Sequence, residues 1–148
     1  MKILFQGDSI TDANRNRANV HDLGQGYAKY AAPLIKAAKP DTEFEFIDLG
    51  ISGNRIVDVY ARIKADCWNH HPDVLSILIG VNDVWHELHE SPNGVDAEKF
   101  YKIYAMLIEE VKAALPDIKI MILEPFCLRG SATVSTEERP GRWEYFYN

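Results

Sequence analysis

Short apolar runs bounded by turn residues, alternating with helical patterns, constrain this 148-residue chain more than any other feature. The runs are KILFQ at 2–6, EFEFIDL at 43–49, VLSILIG at 74–80 and IKIMILEP at 118–125. Continuous apolar strands belong in a sheet covered on both faces. The stretch 26–40 places Tyr27, Ala31, Leu34, Ile35 and Ala38 on one helical face, with Pro33 as a point of kinking or late start. Residues 55–68 repeat Ile56, Val59, Tyr60, Ile63 and Cys67. Residues 96–115 form the clearest pattern: Asp96 as cap, a stripe of Phe100, Ile103, Tyr104, Leu107, Ile108 and Val111, and Pro116 as stop. Strands alternating with helices predict an α/β fold with a parallel sheet. No internal repeat or linker divides residues 1–148, which read as a single domain.

Composition narrows the class. A chain 47% hydrophobic and 26% charged is globular rather than disordered. A net charge of -6 argues against a nucleic-acid footprint. No basic run adjoins an apolar helix, so a membrane-surface role has no support. The opening MKILFQGD is too short for a signal-peptide core or a spanning helix, and the expected location is cytoplasmic. Cys67 and Cys127 stand alone and are expected to be buried thiols in a reducing compartment. The ending RPGRWEYFYN puts Trp143, Tyr145, Phe146 and Tyr147 in the last six residues, like a helix begun and not finished. The fourth strand would also remain a bare sheet edge. Both features lead to the expectation that the chain is a C-terminally truncated part of a longer fold.

Parallel α/β sheets place their sites at the carboxyl ends of strands. Gly7-Asp8-Ser9 follows the first strand, Gly50-Ile51-Ser52-Gly53-Asn54 the second, and Gly80-Val81-Asn82-Asp83 the third. Ser9 has the chemistry of a nucleophile. The N–H groups of Ser9 and Gly53, with the Asn82 amide, have that of an oxyanion hole. A helix starting near Ser9 would add the positive end of its dipole. The plainer reading makes Ser9 a helix N-cap and Asn82 a turn residue; three strand ends coinciding at one rim favour chemistry.

The blocks GDSITD, GISGN and GVNDVW, in this order and spacing, resemble those of the SGNH, or GDSL, hydrolases, and the resemblance covers the whole chain. It implies a three-layer α/β/α sandwich of flavodoxin-like strand order 2-1-3-4-5 and no metal. It implies Ser9 as nucleophile and first oxyanion donor, Gly53 as second donor and Asn82 as third, with Asp8 and Asp83 holding the turns. GDSITD, Gly26-Tyr27 with Tyr30, GISGN and IGVNDVW look most like the acetyl-xylan esterase branch. That branch implies an acetylated ester or oligosaccharide as substrate, often a homo-oligomer, and an acyl-enzyme mechanism without cofactor. Arg15 or Arg17, Arg55 and Trp85 are candidates for the pocket mouth, with surface charge and packing as the competing reading.

One departure is plain. The family's Asp-x-x-His block, which supplies the base and its orienting acid, does not occur in residues 1–148. The catalytic histidine and aspartate are therefore expected beyond Asn148, with the fifth strand and last helix. Asp66 with His70 has the wrong spacing and place. HELHE at 86–90 has its histidines three apart, where the zinc motif needs four. His86 and His89 follow the Asn82 rim and are candidate substitute bases. His70-His71 suits a helix end, and Ser52, outside any G-x-S-x-G elbow, reads as a turn residue. Rival functions are a thioesterase or lysophospholipase on the same scaffold, and a noncatalytic carbohydrate-binding module that lacks the base.

Overall fold

The computed structural model describes residues 1–130 together with Thr133 and Val134. The reading of the aromatic ending, Trp143 to Tyr147, lies outside the described residues. In chain order come β1 (Lys2–Gly7), α1 (Ser9–Asp12), α2 (Tyr27–Ala38), β2 (Glu45–Asp48), α3 (Ile56–Asp66), β3 (Val74–Leu78), α4 (Val81–Trp85), α5 (Ala97–Ala114) and β4 (Lys119–Leu123). Single 3-10 turns lie at Trp68–His70 and His86–Leu88. The strands form one parallel sheet in the order β2-β1-β3-β4. This is the expected order as far as the fourth strand; a fifth does not occur among the described residues.

The period of two along each strand divides the core. Leu4, Ile47, Leu75 and Ile77 turn to one face and pack with Ile56, Val59 and Ile63 of α3 and Leu107 and Val111 of α5. Ile3, Phe5 and Phe46 turn to the other and meet Ala28 and Ala32 of α2. Helices on both faces make the three layers. Of the sequence stripe on α2, Leu34 is misplaced: it is 71% exposed. The rings of Phe5 and Phe46, stacked with centroids 6.4 Å apart, already fill this side of the sheet. The helix therefore presents its small residues, and Leu34, two positions past Ala32, falls about 200° around the axis. Pro33 neither ends nor delays α2; it and Lys29, whose carbonyl loses its partner to the proline, both lie on the exposed side.

Met121 and Ile122 of β4 are 47% and 56% exposed, as the edge reading expects. Cys67 is buried, but Cys127, in the segment after β4, is only half-buried. No helix among the described residues is long and apolar enough to cross a membrane.

A buried polar cluster fixes how α3 meets the sheet. Gln6 is fully buried and donates to Asp66 Oδ2 at 2.9 Å. Its own oxygen accepts from Arg62 Nη2 and from the Gly7 N–H. Arg62 pairs with Asp66 and also donates to the Leu49 carbonyl and to Asn54 Oδ1, each at 3.0 Å. One guanidinium thus joins α3, the end of β1 and the loop after β2. Asp66, set against His70 in the sequence, is used here.

The loop after β2 lies directly against α1. A Cβ on Gly50 would stand 2.5 Å from the Asp12 nitrogen and 2.7 Å from Thr11 Cβ. Those neighbours are backbone and a β-branched side chain, which cannot swing away. Gly50→Ala should lower unfolding free energy by about 1–3 kcal/mol through overpacking. A urea midpoint unchanged from the parent would refute the close approach.

Candidate active site

The three loops at the carboxyl end of the sheet meet through side chains that bond to one another's backbone. Asp8, 1% exposed, is the N-cap of α1, and its Oδ1 accepts the Ile10 N–H at 2.9 Å. The capping duty thus falls on Asp8, and the neighbouring Ser9 stands exposed at the first helical position. Its N–H is one of those a helix start leaves unpaired. α1 is a single turn, closed by Ala13 in the left-handed region at φ 40°.

The loop after β2 is built around Gly53, whose φ is +85°. A Cβ there would meet nothing within 4 Å, so backbone conformation rather than space calls for glycine. The Ser52 N–H donates to Asp12 Oδ2 at 2.9 Å, and the Asn54 N–H closes the turn onto Ile51 at 3.1 Å. The Gly53 N–H has no partner among the described residues. From the third loop, Gly80 (φ +137°) swings the chain into α4. Asn82 Nδ2 then donates to the Asn54 carbonyl at 3.0 Å, which leaves its second N–H for another acceptor. Asp83 accepts the Ile56 N–H on both carboxylate oxygens, at 3.0 and 3.2 Å.

A polar cavity of about 440 Å³ opens beside Ser9, lined also by Asp12, Ala13, Asn14, Arg15, Arg17 and Ser52. Arg15 is buried and donates to the Gly50 carbonyl at 3.0 Å, with Asp48 3.5 Å away. Arg17 pairs with Asp12. Gly53, Asn82, Arg55 and Trp85 are not in this lining. Arg55 spends its guanidinium on Asp58 and on the Asn93 carbonyl, and Trp85 ends α4, half-buried. His86 and His89 stand with ring centroids 5.6 Å apart, His86 in the 3-10 turn after α4. No histidine lines the cavity beside Ser9. Among the described residues no group of His, Cys, Asp or Glu is arranged to hold a metal ion.

Sequence reasoning missed Asp12 and Arg62. Asp12 had a faint signal, lying one helical turn beyond Ser9. Arg62 had a local one, the i,i+4 spacing to Asp66, but nothing local points from it to Asn54.

The site holds carboxylates of opposite tendency. Burial pushes Asp8 and Asp83 up to about 6, against the lowering effect of the backbone N–H groups they accept. Burial also works against the Asp12 carboxylate, but hydrogen bonds from Arg17 and Ser52 outweigh it and hold Asp12 below its usual value. A raised carboxyl value in the folded state means that protonation favours folding. Asp8 therefore costs stability above about pH 6, and the cost vanishes below the unfolded value near 4. Asp8→Asn keeps an acceptor for Ile10 and removes the buried charge. It should stabilise the chain at pH 8, by on the order of 2 kcal/mol, and not at pH 4. Thermal melts at the two pH values check this; equal gains at both would contradict it.

The comparisons with known proteins agree with this geometry. The GDSL-like lipase/acylhydrolase family model matches residues 5–146. An acetylxylan esterase of Geobacillus stearothermophilus is 36% identical over 136 residues, covering 88% of this chain. The chain spans 62% of that curated relative's length. Among solved structures, a GDSL-like lipase candidate from Parabacteroides merdae superposes with a TM-score of 0.84 at 36% identity, over 98% of this chain and 68% of that one. The acetylxylan esterase Axe2 from Geobacillus stearothermophilus gives 0.77 at 33% identity, over 99% and 68%. A family model spanning nearly the whole chain, and relatives above 30% identity over most of it, settle the assignment: the chain belongs to the GDSL-like lipase/acylhydrolase family.

Proposed function

We propose that the chain carries the nucleophile and oxyanion hole of a serine esterase that removes acetyl groups from carbohydrate esters. The observation that supports it most is the Gly53 turn, whose N–H has no partner among the described residues, clasped between the Ser9 loop and the Asn82 loop. Ser9 Oγ attacks the acetyl carbonyl while a histidine takes its proton. Negative charge develops on the carbonyl oxygen, where the Ser9 and Gly53 amides and the second N–H of Asn82 stabilise it. Collapse of the tetrahedral intermediate expels the sugar alcohol, protonated by the same histidine, and leaves an acetyl group on Ser9. Water, deprotonated by that histidine, then releases acetate. Asp8 and Asp83 hold the turns and touch no substrate atom. The family pattern places the histidine in an Asp-x-x-His block that residues 1–148 do not contain. Structures of Axe2 with alanine at a catalytic serine, aspartate and histidine are consistent with such a set of groups.

Two features support the acetylated carbohydrate as substrate. The curated relative is an acetylxylan esterase. The cavity next to Ser9 is bordered by Asp12, Asn14, Arg15, Arg17 and Ser52, groups suited to hydroxyls rather than to an alkyl chain.

In a form of the protein that carries the Asp-x-x-His block, a serine-directed phosphonate should add once, at Ser9, and its Ser9→Ala variant should take up none, as read by intact-mass and peptide mass spectrometry. Labelling at another residue would overturn the assignment of the nucleophile. In a second measurement, p-nitrophenyl acetate should exceed the octanoate in kcat/KM by at least about tenfold, because the polar cavity gives a long chain little apolar surface to bury. A faster octanoate reaction would favour the lysophospholipase or thioesterase reading.

A further inference from the structure

We infer that Asp12 is a positioning residue for the Gly53 amide, acting through the Ser52 peptide that it holds. This rests on the proposal that the Gly53 N–H receives the oxyanion.

The argument starts from peptide planes. The Gly53 N–H lies in the plane that joins Ser52 to Gly53. The plane before it is pinned by the bond from Ser52 N to Asp12 Oδ2 at 2.9 Å. The plane after it is pinned by the bond from Asn54 N to the Ile51 carbonyl at 3.1 Å. The next carbonyl, that of Asn54, is held by Asn82 at 3.0 Å. Between these points stands a glycine at φ +85° with nothing within 4 Å of its Cβ position. A glycine in open space moves readily between conformations. Sterics therefore do not aim the N–H; the pins on either side do. Asp12 is the pin on the Ser52 side.

Asp12 is suited to this task. Its side chain is only 5% exposed, and one oxygen, Oδ2, accepts from Ser52 N and from Nε and Nη2 of Arg17. Arg17 comes from the segment after α1 and is itself half-exposed. It keeps the buried oxygen ionised, and an ionised acceptor makes the stronger bond to a backbone N–H. Asp12 also stands one turn beyond Ser9 on α1. The helix that carries the nucleophile thereby sets the direction of a donor from a different strand. Loss of the pin would displace that donor without touching substrate, and a misplacement of about 1 Å costs roughly 10²-fold in rate.

Asp12→Ala and Asp12→Asn separate this from general stability. Asparagine can still accept from Ser52 but offers Arg17 no charge. In the alanine variant, Ser9 labelling by the phosphonate should slow about 100-fold, because the phosphoryl oxygen needs the same donors. In asparagine the loss should be about three- to tenfold, because a neutral acceptor holds the N–H less strongly. On p-nitrophenyl acetate the fall should lie in kcat, with KM held within about threefold, when kcat is taken per mole of folded protein as counted from the NMR spectrum of each variant. Amide hydrogen exchange by NMR should show Ser52 losing protection in alanine and keeping part of it in asparagine. Unchanged labelling in both variants, with the parent labelled normally, would overturn the inference. Labelling and turnover are read in a form of the protein that carries the Asp-x-x-His block; if that parent takes no label at all, the esterase reading fails by itself. Ser52 exchange then decides the positioning alone: lost protection in alanine upholds it, and retained protection overturns it. Should alanine fail to fold, the asparagine variant carries the same readings.

Discussion

The Gly53 turn closes on a single backbone bond of its own, from Asn54 to Ile51. The rest of what holds this loop comes from elsewhere in the sequence. Asp12 binds Ser52, Asn82 binds the Asn54 carbonyl, Asp83 binds Ile56, and Arg62 binds both Leu49 and the Asn54 side chain. Each is a side-chain group meeting a polar group that would be costly to leave unpaired in a half-buried loop. The parallel sheet makes the arrangement possible. With β1 between β2 and β3, the loops that leave their carboxyl ends emerge side by side.

The electrostatics follow from the same geometry. Asp8 and Asp83 serve backbone N–H groups, and burial dominates and raises them; Arg55 pulls Asp83 down by less than burial pushes it up. Asp12 does the same kind of work with Arg17 beside it and is lowered. Asp48 lies near Arg15 yet is still pushed up to about 6 by burial, which exceeds the pull of the arginine and of the Gly50 N–H. All four carboxyl groups, Asp8, Asp12, Asp48 and Asp83, accept a backbone N–H.

The strands as far as β4 and the faces of α3 and α5 were legible because each has a local signature, whereas the strand order was implied by the resemblance of three short blocks. Glycine ends each relevant run, and Ile56, Val59, Ile63 and Cys67 repeat at helical spacing. Leu34 was misread for a physical reason: the apolar pattern of α2 is broad enough to fit two rotations, and the aromatic rings beneath chose the one that presents alanines. Asp12 and Arg62 were invisible for another. Their partners lie 40 residues away at Ser52, and 56 away at Gln6. No periodicity reports a side chain that crosses from one loop to another's backbone.

The Gln6 amide has a consequence for the order in which this protein comes together. It is fully buried in β1, and its partners, Arg62 and Asp66, both belong to α3. Until α3 docks, Gln6 keeps its water and Arg62 has neither Leu49 nor Asn54 to hold. The rim proposed for catalysis therefore has no independent folding unit of its own. Its geometry is acquired when the second β-α segment seats against the first strand, and a local opening of α3 anywhere along that contact would loosen the rim as well. Exchange protection at the end of α3 and order at the Gly53 turn are two readings of one event.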